Sequence, residues 1–479
     1  MRAFRIIGRG PRCGLASQVH PLNPFVYQLG ELFCEAAPAE EIVRRFGTPV
    51  IAYSAAGLRA NIAAVREAFT AIDPEIRFPV QSIPSPGVLR VIAAEGCGMA
   101  AMSAGELERA WLSRAPMGKT SFAGVGKTDD DIRAALDGIY SPLFQAGITV
   151  DGRPPYYRGP AGVLVAESPD EIVRISAVAA SLRVNARVAI CVNTAIEAPP
   201  DDPVPDADAE SKFGVSCSEA IDMYRRFEHQ PHIALHGLAA HTGQVTHTVE
   251  SYAAAVARLV ETATIIRNRG ADIPMLDLGG GLPAIEVSDA TRPLSEYADA
   301  IEPLLSTVRD AWTETTIIIR PGRAIAASAG ILLLGVRETR PTEDRLVLIC
   351  DAGLNPADRP ADIDGFRTVW PIATEPEHEP PAPGVERLDT TGLVWSDIVG
   401  PAGRDSDIIG RGRLIPRSKA GDRLAVFAAG ADALHAVQRG GDHPIPAEVL
   451  VEGRTLKALR PRAGLVEQLA PELGPLEKL

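Results

Sequence analysis

Apolar and polar positions switch between two periods along the middle of the chain, and the switches place its elements. Short apolar runs predict buried strands at Pro49–Tyr53, Ile76–Ser82, Gly98–Ser103, Thr120–Val125, Gly162–Ala166, Val188–Val192, Ala234–His241 and Met275–Gly279. Between them, apolar residues recur at helical spacing, as in Ser103–Leu112, Asp129–Leu136, Asp170–Leu182 and Val249–Arg267. Ser54 heads a helix running to about Phe69, where its hydroxyl suits an N-cap. Pro84, Ser85 and Pro86 close the run Phe78–Ile83 and open a helix with proline in its first turn. About eight strand–helix units predict a parallel (β/α)8 barrel of TIM type, with the helices outside.

The texture differs on either side of this region. Phe25–Glu35 reads as a strand and Ala39–Phe46 as a short helix. Beyond Arg323 the runs Ile331–Val336, Leu346–Cys350 and Leu424–Phe427 are strand-like, with few helical stretches, and predict a second, mostly β domain. Three Pro-rich or acidic segments, Ser141–Pro160, Pro199–Asp208 and Glu375–Pro383, read as loops, the last of them solvated.

Composition narrows the classes of function. A chain of 479 residues holds two domains with full cores. A net charge of -13 argues against nucleic acid and anionic membrane surfaces as partners. No apolar run approaches the roughly 18–20 residues that span a bilayer, and Met1–Gln18 lacks the apolar centre of a signal peptide. The 6 cysteines are scattered with no Cys-x-x-Cys pair, which predicts reduced thiols in a cytoplasmic protein.

Several motifs, in order, carry a resemblance. They are Phe46-Gly47-Thr48-Pro49 with Tyr53-Ser54, Ser103-Ala104-Gly105-Glu106-Leu107, and Glu210-Ser211-Lys212-Phe213-Gly214. Asp277-Leu278-Gly279-Gly280-Gly281, Pro321-Gly322-Arg323, Asp351-Ala352-Gly353, Val399-Gly400-Pro401 and Pro446–Leu450 follow. From Phe25 to Arg462 the chain resembles the diaminopimelate and ornithine decarboxylases. That resemblance implies an alanine-racemase-type barrel and a β-barrel or β-sandwich domain. The expected division is an N-terminal segment 1–47 that joins the β domain, a barrel over 48–323, and the β domain over 324–479. It also implies a homodimer, with the loops at Val399–Pro401 and Phe427–Ala433 reaching a partner's barrel.

The departures fall at the chemistry. Where the family reads Tyr-Ala-Val-Lys-Ala-Asn, with the lysine holding pyridoxal phosphate as a Schiff base, this chain reads Phe78-Pro79-Val80-Gln81-Ser82-Ile83. A carboxamide nitrogen cannot form the imine. Cys191 stands where the family has an arginine, and Arg320 where it has the glutamate that meets the pyridine nitrogen. Gly403, followed by Arg404, stands where the family has a catalytic cysteine, and Asp432 where it has a cofactor-contacting tyrosine. The family's His-x-His-x-Gly-Ser becomes Ala239–Gln244, which keeps His241. The lysines are few: Lys119, Lys127, Lys212, Lys419, Lys457 and Lys478. Lys127 and Lys212 match lysines that the family uses structurally or at the rim; either could instead be a substitute imine former, and Lys212 lies beside the expected barrel mouth.

These readings give a candidate site. Gly279, Gly280 and Gly281, with Gly322 and Arg323, form a cradle whose backbone can approach a phosphate, and Arg320 adds positive charge to it. Gln81, His241, Arg404 and Asp432 are the candidate catalytic residues. His241 would stack on a ring, Arg404 would bind a substrate carboxylate, and Asp432 would act as acid or base. Asp405 and Asp407 read as a solvated mixed-charge loop. His232, His236, His241 and His247 lie close in sequence, but His236 and His241 fall on opposite strand faces, so no metal is expected. Two functions follow. One is a repurposed, imine-independent enzyme acting on a small anionic or phosphorylated molecule. The other is a non-catalytic homologue that binds a metabolite or an active relative. Neither holds pyridoxal phosphate covalently; it would be bound non-covalently, or replaced by another phosphate-bearing ligand. A pyridoxal-dependent decarboxylase with a relocated lysine is the third reading.

Overall fold

The computed structural model describes residues 24–138, 159–194, 211–242, 248–285, 292–312, 314–353, 368–380, 390–403, 405–438, 443 and 445–476. Among them, no helix is long and apolar enough to cross a membrane. Eight parallel strands close a barrel: Glu75–Pro79, Gly98–Ala101, Thr120–Phe122, Val163–Ala166, Ala186–Asn193, Ile233–His241, Met275–Asp277 and Thr316–Ile319. The last of these was not among the predicted strands. The predicted strand at Pro49–Tyr53 takes no part in the barrel. Val50–Ser54 pairs antiparallel with Gly330–Pro341 and parallel with Ala447–Glu452, inside the β domain. The barrel therefore begins at Glu75 rather than near residue 48. An apolar run specifies a buried strand, not the sheet it joins.

Period-2 alternation decides what faces the barrel axis. Ala123, Val163, Val165, Ala189, Cys191, Ala239, Met275 and Ile318 form a separate small core cluster inside it. The alternate residues pack outward against the helices in the main core, among them Leu164, Ile190, Leu238 and Leu276. Continuing the inner register to the strand C-termini places Cys191, His241, Asp277 and Arg320 on the axial side at one end. That end is the mouth, where such barrels carry their chemistry.

The β domain runs as one sheet through Ile408–Pro416, Leu393–Val399, Leu346–Cys350, Gly330–Pro341, Val50–Ser54, Ala447–Glu452 and Thr455–Arg460. The N-terminal stretch is not one strand but a hairpin, Phe25–Gln28 with Glu31–Cys34. Leu29 and Gly30, both at positive φ, turn it. Phe25, Leu32, Cys34 and Ile42 pack with Val50, Ile331, Ala425 and Val449. The stretch read as a solvated loop near Glu375 is tied down in its described part. Trp370 Nε1 donates to His378 O at 2.8 Å, and Glu379 accepts from Gly30 N at 2.7 Å.

Candidate active site at the barrel mouth

Asp277 closes its strand at 1% exposure and anchors the mouth. Its Oδ1 accepts the Gly279 N–H at 2.9 Å and Arg320 Nε at 3.1 Å. Arg320 Nη2 donates to Ala240 O at 2.6 Å. Burial works against the guanidinium charge, but the carboxylates, Asp277 above all and then Glu167, outweigh it and raise the Arg320 pKa. Cys191 is buried, and that burial, with the charge and hydrogen bond of Glu167, pushes its thiol well up, so it is a neutral thiol. Arg320 was expected to make the pocket anion-seeking. Its charge is instead matched inside the wall by Asp277, so it serves the wall more than the cavity.

The glycine turn fits a phosphate. Gly279 and Gly281 both lie at φ +85, a left-handed conformation that glycine adopts without strain. A Cβ on Gly279 would lie 2.8 Å from Thr242 Oγ1. The Gly279 N–H is taken by Asp277, while those of Gly280 and Gly281 meet no partner among the described residues. The second turn is tighter. A Cβ on Gly322 would lie 2.5 Å from Ser82 Oγ and 2.7 Å from Pro79 Cγ. The turn carrying Gln81 therefore packs directly on the Gly322–Arg323 turn.

That turn also departs from its predicted form. The strand stops at Pro79, Val80–Ser82 make a single 3₁₀ turn, and the helix Pro86–Ala94 follows with proline in its first turn. Gln81 is half-buried on it. Asp432, at φ +60, donates its backbone N–H to Ser82 O at 2.9 Å. The loop Phe427–Ala433 thus reaches the barrel of its own chain, and brings Asp432 beside Gln81 through the backbone. Gly403 is exposed, and Arg404 lies outside the described residues, as do Gln244 and His247. Asp407 is not solvated: it is 4% exposed and accepts the Ala402 N–H at 2.8 Å.

His241 stacks on Phe213, ring centroids 4.3 Å apart. Phe213 arrives on the segment Ser211–Val215, which extends the sheet past the barrel wall. Val215 N donates to Cys191 O and Asn193 N to Val215 O, each at 2.9 Å, and Gly214 N donates to Glu167 Oε2 at 2.8 Å. Lys212 Nζ lies 5.1 Å from the Phe213 ring centre. Lys127 is buried and fully engaged, donating to Gly124 O, Val165 O and Glu171 Oε1 at 2.7, 2.8 and 2.7 Å. Among the described residues no three His, Cys, Asp or Glu side chains converge as metal ligands.

Sequence reasoning gave Asp277 and Glu167 no role. Both are found by one rule: each lies two residues beyond an inward-facing strand residue, Met275 and Val165 respectively.

The family model for "Pyridoxal-dependent decarboxylase, pyridoxal binding domain" matches residues 55–327. A diaminopimelate decarboxylase from Pseudomonas aeruginosa is 31% identical over 453 residues, covering 94% of this chain and 99% of that protein. A crystal structure of an Aquifex aeolicus protein superposes with TM-score 0.75 at 28% identity, covering 94% of this chain and 98% of the other. The crystal structure of diaminopimelate decarboxylase from m. jannaschi has TM-score 0.79 at 23% identity, covering 94% and 97%, and supports the fold.

These findings overturn two expectations. Near-full-length identity to a diaminopimelate decarboxylase contradicts both the imine-independent repurposed enzyme and the non-catalytic homologue. A matched pyridoxal-binding domain contradicts the absence of covalently held pyridoxal phosphate. The expectations rested on replacements at Gln81, Cys191, Arg320, Gly403 and Asp432, and the match across the whole chain outweighs them. Gln81 removes an amine from one turn of the mouth and leaves the glycine turns and the other lysines where they are. The chain belongs to the pyridoxal-dependent decarboxylase family.

Proposed function

We propose that this protein is a pyridoxal-phosphate-dependent decarboxylase acting on an α-amino acid of the diaminopimelate type. The observation that carries the proposal is 31% identity to a diaminopimelate decarboxylase across 94% of the chain. The mouth supports it. The Gly280 and Gly281 N–H groups would hold the phosphate on backbone donors, with Arg323 as a charged donor beside them. When bound, pyridoxal phosphate supplies the electron sink for a carbon that loses its carboxylate. His241, stacked on Phe213 at the barrel mouth, would contact a flat ring bound there. Asp432, whose backbone N–H is held by Ser82 O, would exchange a proton with the substrate or meet its amine. Gln81 would keep the family lysine's place as a neutral hydrogen-bonding group.

A homodimer and a cytoplasmic location belong to the same proposal. Closed twofold pairs are the commonest assemblies, and the described cysteines Cys34, Cys97, Cys191, Cys217 and Cys350 are all free thiols. The test is CO2 release from meso-diaminopimelate, ornithine, arginine and lysine by purified protein supplied with pyridoxal phosphate. Release from diaminopimelate with lysine as product supports the reading, and release from none of the four overturns it.

A further inference from the structure

A second group of cations gathers at the other end of the barrel, where its strands begin. We propose that Arg77, Arg187 and His236 form a binding site for a phosphate-type oxyanion at the floor of the barrel, separate from the glycine turns at the mouth. It is independent of the decarboxylase chemistry proposed above.

Strand alternation turns these groups toward the axis. Ile76 and Phe78 pack outward in the main core, so Arg77 between them points inward. Its Nε donates to Glu75 Oε1 at 2.8 Å, back toward the first residue of the strand, so the guanidinium hangs toward the floor. Ala189 faces the axis, and Arg187 lies two residues before it, near the start of Ala186–Asn193. His236 is the extra residue of a bulge, since Leu235 pairs with Val188 and Gly237 with Ala189. Burial, and then the charges of Arg187 and Arg77, lower the His236 pKa, so both guanidinium groups stand near its ring. Lys119, just before the strand Thr120–Phe122, reaches Glu75 Oε2 at 3.7 Å.

One donor in this group lacks an acceptor. Arg77 is 6% exposed, and its Nη1 is buried with no hydrogen-bond partner among the described residues. A buried charged donor left unmet is costly, and the oxygen of an anion meets it. Arg187 is exposed and His236 half-buried, and among the described residues neither side chain is hydrogen-bonded or paired with a carboxylate. Glu75 is the one carboxylate that pairs with any of these groups among the described residues. Arg77, Arg187 and Lys119 against that single acid leave two positive charges, which suits a doubly charged oxyanion. The oxygens of a phosphate point to several sides and can meet donors that come from strands across the barrel. The two coplanar oxygens of a carboxylate reach fewer of them. Arg187 and Lys119 open the site to solvent, so free phosphate and a small phosphomonoester share this chemistry.

The test uses desalted protein loaded with one equivalent of pyridoxal phosphate, so that the mouth is filled. Inorganic phosphate, glycerol phosphate and acetate are titrated by calorimetry at constant ionic strength. The His236 ring is followed by NMR in the same titrations, its signal assigned with His236→Gln. Phosphate should bind at about one per chain and shift the His236 signal along the same curve. Affinity should fall roughly tenfold or more in Arg77→Met and about threefold or more in Arg187→Gln. Arg187 is exposed, so its variant keeps the test decisive should Arg77→Met fail to fold. Tighter binding of glycerol phosphate names an ester as the natural ligand, and equal or tighter binding of phosphate names the free ion; either sustains the site. No binding of phosphate or ester, acetate binding as tightly as phosphate, an unmoved His236 signal, or full affinity in Arg187→Gln overturns it. Phosphate binding that disappears once pyridoxal phosphate is loaded also overturns it, because the phosphate then sits at the mouth.

Discussion

Arg320 and Asp277 form an ion pair in the barrel wall, Nε to Oδ1 at 3.1 Å, with the aspartate buried and the arginine partly exposed, and the same Asp277 oxygen also holds the Gly279 N–H. One carboxylate thus fixes both the guanidinium that follows the last barrel strand and the first glycine of the cradle.

Removing Asp277 leaves a largely enclosed guanidinium without its partner and the Gly279 N–H without its acceptor. Asp277→Ala is therefore expected to cost about 1–3 kcal/mol, read as a lowered urea midpoint. The double variant Asp277→Ala/Arg320→Met should recover much of that loss, since removing both charges removes the uncompensated one. Equal stability of the single variant and wild type would show that the pair is solvated.

Most of the fold was legible because strands and helices differ in period. Seven of the eight barrel strands were placed to within a few residues. The eighth, Thr316–Ile319, is a run of 4 residues and was not among the predicted strands. Val50–Ser54 has the composition of a barrel strand, but its neighbours are distant in sequence, and no local pattern names them. The glycine turns were legible because positive φ and close approach demand glycine. The neutralisation of Arg320 was not, since charge matching depends on what alternation brings across the barrel. Asp407 was misread for a related reason: charged loop residues are usually solvated, and only tertiary contacts show this one closing the loop.

His236 should make stability fall in mild acid. Burial, with Arg187 and Arg77 adding to it, lowers its pKa below the ordinary 6.5. As pH falls through about 6.5, the unfolded chain takes up a proton that the folded chain resists, so stability is lost below that value and is present above it. Urea midpoints measured at about pH 7.5 and about pH 5.5 should drop less for His236→Gln than for wild type. An identical drop in both proteins would assign the acid sensitivity to other groups.

Asp407 should be worth more than a surface acid. Its carboxylate accepts the Ala402 N–H, and its own carbonyl accepts the Gly400 N–H at 2.9 Å. Gly353 and Gly400 both lie so close that a Cβ at either would strike this carboxylate. Asp407→Ala leaves a donor unmet and opens a space, for an expected loss of about 1–3 kcal/mol. Backbone exchange at Gly400–Ala402 should rise with it. Unchanged exchange in the variant would mean that the loop holds without the carboxylate.

The two glycine turns should respond differently to a single added methyl group. At Gly322 the new Cβ would sit 2.5 Å from Ser82 Oγ and 2.7 Å from Pro79 Cγ, neither of which is the free end of a long side chain. The turn carrying Gln81 must then move, at a cost of about 1–3 kcal/mol. At Gly280 the nearest atom is Arg320 O at 3.1 Å, so a methyl group is nearly accommodated by the fold. It would still crowd an anion that approaches the Gly280 and Gly281 N–H groups. Gly280→Ala should therefore keep its urea midpoint close to that of wild type while losing affinity for pyridoxal phosphate. Gly322→Ala should lose stability and affinity together. Calorimetric titration with pyridoxal phosphate, run beside urea unfolding of the same samples, separates the two effects. If Gly280→Ala binds as wild type does, the phosphate does not sit on the Gly279–Gly281 turn.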